Sequence, residues 1–133
     1  MFGDVWAWAG KLRRRETNIG IDPHLIPVAL RDLCDDTLAQ IGDGETLAYP
    51  ADELAVRFHH RLVVIHPFPN GNGRHARLAT DLLVADLDAE PFTWGGAELT
   101  SPTELRTDYL AALRHADSSL DFTPLIAFAR RPN

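Results

Sequence analysis

Apolar residues recur at helical spacing through most of this chain. Leu30, Cys34, Leu38 and Ile41 form one stripe, Pro27 suits a first helical turn and Gly42 a C-terminal stop, so a helix is predicted over Pro27–Ile41. After a loop at Asp43–Tyr49, a second helix is predicted from Pro50, with Asp52 and Glu53 in its dipole-favoured first turn and Leu54, Phe58, Leu62 and Ile65 inward. Pro67 cannot continue that helix, which leaves His66 at its end. A central helix over Arg74–Leu87 carries a broad apolar face of Leu78, Leu82 and Leu83, helped by Ala79 and Ala85. Ser101-Pro102-Thr103-Glu104 reads as a capping box opening a helix to about Arg114. Thr123-Pro124 starts a short last helix with Leu125 and Phe128 inward and Arg130 and Arg131 at its C-terminal dipole.

Helical periodicity fails between Arg13 and Ile26. Thr17, Ile19 and Ile21 alternate with Asn18 and Gly20 before the turn signal Asp22-Pro23, so a small β-hairpin is preferred to an irregular loop. The aromatic segment Phe2–Ala9 reads as a short helix that starts abruptly. The expected architecture is all-α: one domain, 1–133, a helical bundle with one hairpin.

Composition narrows the function. A net charge of −6 argues against a nucleic-acid surface, and no apolar run is long enough to cross a bilayer, so neither partner is expected. The single cysteine, Cys34, excludes an intrachain disulfide, is expected to be buried and inert, and fits a reducing, cytoplasmic setting. Positive charge is nevertheless clustered. Lys11, Arg13, Arg14 and Arg15 form one group, with Arg14 and Arg15 read as a solvated turn; Arg57, Arg61, Arg74 and Arg77 flank the segment described next. A locally basic pocket in an acidic chain suits a small polyanion.

That segment is His66-Pro67-Phe68-Pro69-Asn70-Gly71-Asn72-Gly73-Arg74-His75-Ala76-Arg77. Gly71 and Gly73 can take positive φ and turn backbone N–H groups toward one point, where the following helix also presents its N-terminal N–H groups and positive dipole end. Arg74 and Arg77 share a face of its first turn. The result is a receptor for phosphate beside an imidazole that can deprotonate a hydroxyl. A helix C-terminus raises the pKa of His66 and nearby arginines lower it; sequence leaves the net shift open. His59 and His60 point in different directions, His75 lies off the arginine face, His24 is loop surface, and no zinc-like spacing occurs.

These residues resemble the Fic (filamentation induced by cAMP) signature H-x-F-x-(D/E)-G-N-G-R-x-x-R, matching at His66, Phe68, Gly71, Asn72, Gly73, Arg74 and Arg77. Trp6-Ala7-Trp8-Ala9-Gly10-Lys11-Leu12-Arg13 is similar to the W-A-G-x-x-R segment that precedes the family's β-hairpin flap. The resemblance implies a Fic-like helical bundle, here lacking the family's preceding N-terminal helix. It implies AMP transfer from ATP to a Ser, Thr or Tyr hydroxyl of a target protein that docks on the flap. His66 would be the base, Gly71, Asn72 and Gly73 the phosphate cradle, Arg74 and Arg77 the outer-phosphate ligands, and Phe68 a core anchor. Asn70 replaces the acidic residue that helps position Mg²⁺, and a neutral amide should hold the metal more weakly. Slow transfer from ATP, a different transferred phosphate-containing group, or a catalytically silent nucleotide-binding module all remain open. Gly73 resembles the AMP-transferring majority more than the phosphate-transferring Doc branch, which carries lysine there. Thr100–Leu105 begins like the inhibitory motif (S/T)-x-x-x-E-(G/N) but fails at Leu105, so any restraint is expected from a regulatory partner chain or residues outside this sequence.

Overall fold

A computed structural model describes residues 12–15, 20–96 and 101–132. Helices α1 (Ile26–Ile41), α2 (Ala51–Ile65), α3 (Asn72–Asp86), α4 (Pro102–Ser119) and α5 (Thr123–Ala129) follow a 3-10 turn at Pro23–Leu25. Helix α2 is the hub, packing on α1, α3 and α5, while α4 packs on α5. Among the described residues the fold is all-α. The expected helix at Phe2–Ala9 and the hairpin residues Thr17 and Ile19 lie outside them; Gly20 and Ile21 form a bend.

The stripe predicted for α2 is buried as expected, with Leu54, Phe58, Leu62 and Ile65 all in the core. Two other stripes were mis-phased. In α1 the buried residues are Ile26, Leu33 and Thr37, whereas Leu38 is 61% exposed. Thr37 can turn inward because its hydroxyl donates to the Leu33 carbonyl at 2.7 Å. In α3 the inward face runs through His75, Ala76, Ala79, Thr80, Leu83 and Val84; Leu78 and Ala85 are exposed and Leu82 is half-buried. Thr80 likewise donates to the Ala76 carbonyl at 2.7 Å. A buried polar residue closing its hydrogen bond within the helix shifts the apolar stripe by one position, which a count of hydrophobic residues misses.

Helix ends follow their local chemistry. Ser101 Oγ accepts from Glu104 N–H at 3.2 Å, which assigns exposed Glu104 to the cap; α4 then runs past Arg114 to Ser119. Arg130, at the end of α5, donates from Nε and Nη2 to the two oxygens of Asp52, at 2.9 and 2.7 Å, tying α5 to the start of α2. The segment at Thr93–Gly95 is held on α5 by bonds from Thr93 and Trp94 N–H to the Ala129 carbonyl and from Gly95 N–H to Phe128. Cys34 is half-buried, and burial followed by the Asp35 carboxylate pushes its thiol up, away from reactivity.

Burial lowers the His59 imidazole from its ordinary 6.5 to about 3 and His75 to about 4. Both are therefore neutral in the folded protein at pH values where the unfolded chain already binds protons. Their contribution to stability is complete above pH 6.5 and is lost as pH falls from there toward the folded values. Urea titrations from pH 7.5 to 4.5 should show falling stability, with a slope of up to about 1.4 kcal/mol per pH unit for each histidine. A flat profile would contradict this assignment.

Candidate active site

The chain reverses between α2 and α3, and the reversal is built from the motif. His66 caps α2 in the left-handed region (φ 52°, ψ 62°), its N–H donating to the Leu62 carbonyl. Gly71 begins α3 at φ 73°, a conformation that favours glycine. Gly73 is already helical, so only the first of the two expected positive-φ glycines occurs. A Cβ on Gly73 would meet the guanidinium of Arg77 at an ordinary 3.5 Å; the protein itself does not demand glycine there, but a methyl group would occupy space beside that arginine.

Asn72 holds the turn from within. Its Oδ1 accepts from Phe68 N–H at 2.9 Å and its Nδ2 donates to the Phe68 carbonyl at 2.8 Å, while the Phe68 ring is buried against His75. The Asn72 side chain is thus committed to the loop, and what it can offer a ligand is its backbone N–H at the start of α3. No side-chain cap meets that helix end.

A cavity of about 520 Å³ opens at this point. Its polar lining comes from His66, Gly71, Asn72, Gly73, Arg74 and Arg77, with Arg106 from α4 adding a third guanidinium that sequence reasoning missed; aromatic and aliphatic lining comes from Trp94, Leu105, Tyr109 and Phe128. Arg106 carried no signal because only the fold brings α4 to the same cavity as the motif. Asn70 is exposed at the turn. Arg57 and Arg61, expected beside the motif, instead pair with Glu53 and Asp36 and line a second cavity of about 440 Å³. Arg14 and Arg15 are exposed, but Arg13 is 4% exposed and lies against His66.

His66 is lowered from the ordinary imidazole value, first by burial and then by Arg13. The open question of its shift resolves toward the neutral form, with Arg13 rather than Arg74 or Arg77 as the charge that lowers it. Behind the cavity runs a second ordered chain of groups. Thr80 gives its proton to Ala76, so its oxygen accepts from His59 Nδ1 (3.2 Å); His59 Nε2 then accepts from the Tyr109 hydroxyl at 2.6 Å. Tyr109, pushed up to about 12 chiefly by burial, in turn carries the Arg77 guanidinium 5.4 Å from its ring centroid. His60 turns the other way, to Asp117 at 2.6 Å, and His24 is exposed beside Asp22. Among the described residues no group of three or more His, Cys, Asp or Glu could hold a metal, and no helix is long and apolar enough to cross a membrane.

The sequence model described as the Fic/DOC family matches residues 3–84. The chain belongs to this family. It is 29% identical over 123 residues to protein adenylyltransferase fic-1 of Caenorhabditis briggsae, covering 92% of this chain and 23% of that protein. To protein adenylyltransferase Fic of Nematostella vectensis it is 30% identical over 123 residues, covering 90% and 26%. It therefore spans about a quarter of the length of these curated relatives. The solved structure of Fic-1 from Caenorhabditis elegans matches with a TM-score of 0.69 at 27% identity, over 92% of this chain and 34% of that one. A Fic-domain-containing signaling protein from Bacteroides thetaiotaomicron shares the fold, with a TM-score of 0.64 at 24% identity over 91% and 44%. The Fic fold is thus shared across distant relatives, and AMP-transferring enzymes are among this chain's sequence relatives.

Asn72 provides a direct check on the loop. Asn72→Ala leaves the buried Phe68 amide and carbonyl without their partner and should destabilise the fold by roughly 1–3 kcal/mol. Asn72→Asp restores only the acceptor and should fall between. Equal stability of all three proteins in chemical denaturation would show that the clasp contributes nothing.

Proposed function

We propose that this Fic-family chain transfers AMP from ATP to a hydroxyl of a target protein. The observation that carries the reading is His66, which lines the same cavity as Arg74, Arg77, Arg106 and the uncapped start of α3, with its imidazole lowered from the ordinary value chiefly by burial. Glycine at position 73 supports it, since the space a methyl would fill beside Arg77 is left for a close-lying phosphate. The aromatic and aliphatic part of the cavity's lining suits a nucleobase.

In the proposed reaction the hydroxyl oxygen forms a bond to the α-phosphorus as the bond to pyrophosphate breaks, and His66 takes the hydroxyl proton. Arg74, Arg77 and Arg106 would share the outer phosphates, each through charge-assisted hydrogen bonds. Asn70 is the motif position that would hold Mg²⁺, which would supply charge neutralisation across the phosphates; one neutral amide gives it a weak protein ligand. The target would present its hydroxyl along the segment between Arg13 and Ile21, where strand addition is the expected docking mode. A second reading, a nucleotide-binding module without transfer, is favoured by Asn70 alone.

ATP labelled at the α- or the γ-phosphate separates the possibilities. Incubation with Mg²⁺ or Mn²⁺ should label protein from the α position only, and His66→Ala should reduce that labelling about a hundredfold or more. Label from the γ position would indicate phosphate transfer; ATP binding with no label would support the silent module. Arg77→Ala should weaken ATP binding by about tenfold or more in calorimetry. Asn70→Asp should raise metal-dependent labelling, and no gain would count against a missing negative charge as the limit.

A further inference from the structure

Arg13 is a buried cation whose acceptors among the described residues are main-chain carbonyl oxygens. Its Nε donates to His66, its Nη1 to Arg15 at 2.9 Å, and its Nη2 to Ile21 and, at 3.1 Å, to Ile65. Its own backbone N–H donates to the Pro67 carbonyl at 2.8 Å. One residue thus satisfies three successive carbonyls, Ile65, His66 and Pro67, at the C-terminus of α2, where helical partners run out and the dipole favours a cation. The same guanidinium holds Arg15 and Ile21, the points at which the chain enters and leaves residues 16–19.

Gly20 gives an independent sign that this arrangement is tight. It sits at φ 106°, and a Cβ there would lie 2.7 Å from His66 Cβ and would also strike the Arg13 guanidinium. The backbone at residue 20 is therefore seated directly on both the arginine and the histidine. No side chain other than glycine's fits without moving one of them.

We propose that Arg13 is a positioning residue for His66: its planar fork fixes the left-handed backbone from which the imidazole projects, and it locks that backbone to both flanks of the segment between Arg15 and Gly20. His66 at φ 52° lies in the left-handed region, which is uncommon for a residue with a side chain, and the bonds from Arg13 to its carbonyl and its neighbours' carbonyls favour it there. A lysine supplies one point charge and cannot span these carbonyls, whereas arginine's rigid donors can. The consequence for chemistry is that the base and the flanks of the expected target-docking segment move as one body. This rests on reading His66 as the base, but the imidazole's position can be tested without any transfer.

Among the described residues, the charged and titratable groups that share the cavity or its edge with His66 are Arg13, Arg74 and Arg77 from α3, and Arg106 and Tyr109 from α4; of these, Arg13 bonds to its backbone. The test uses the full chain with Arg13→Lys, Arg13→Met and Gly20→Ala, each checked for folding by thermal melting. Three quantities are read: the His66 imidazole titration by NMR, ATP affinity by calorimetry, and kcat for α-label transfer. Arg13→Met should raise the His66 titration midpoint. Arg13→Lys should lower kcat about tenfold or more with ATP affinity within about twofold, a misplacement effect. Gly20→Ala should lower kcat in the same way while retaining Arg13. Full rate in Arg13→Lys, an unmoved His66 titration in Arg13→Met, or loss of ATP affinity in proportion to kcat would each overturn the proposal. Should Arg13→Met not fold, the other two variants decide. If the parent chain transfers nothing, the function proposed above fails, and an altered His66 resonance and titration in the Arg13 variants still supports the positioning role.

Discussion

The site depends on one sharp chain reversal, from His66 to Gly71, being held rigid by hydrogen bonds inside the protein. A turn that joins two packed helices is usually solvated and adaptable. Here it is clasped from both sides. Asn72 reaches back to the Phe68 amide and carbonyl, and Arg13 reaches in to the carbonyls of Ile65, His66 and Pro67. These bonds leave the turn little freedom, so the imidazole and the first N–H groups of α3 face the same cavity.

The packing behind the turn extends the same order. The network from Ala76 through Thr80 and His59 to Tyr109 is directional, because each hydroxyl or ring nitrogen has only one role left once its neighbour's role is set. It ends at the ring under Arg77, the second motif arginine. A buried neutral histidine thus sits behind the cavity while a second neutral histidine, His66, edges it. Burial is the leading cause of the lowered value in both cases, although only His66 is exposed to a ligand.

The asymmetry of the cavity follows from which helices meet there. Helix α3 contributes its N-terminal end and two guanidinium groups, so that wall is positive; α4 and the loop at Trp94 contribute mostly aromatic and aliphatic surface. A ligand with a charged end and a flat apolar end matches this division better than a uniformly charged polymer does. The chain's net charge of −6 is consistent with the same choice.

By itself the sequence determined the helix count beyond residue 26, the inward stripe of α2, the Ser101 cap and the cluster of motif residues, because each depends on neighbours within a turn or two. It could not place Arg13, whose acceptors lie in α2 and on the far side of residues 16–19. It assigned Arg57 and Arg61 to the wrong cavity, since chain proximity to a motif says nothing of the face on which a helix presents them. It missed Arg106, and it mis-phased α1 and α3 by placing the stripes through Leu38 and Leu78, which are exposed, instead of through Thr37, His75 and Thr80. They are inside because tertiary packing decides which polar groups can leave water: Thr37 and Thr80 close their hydrogen bonds within their helices, and His75 packs against the Phe68 ring.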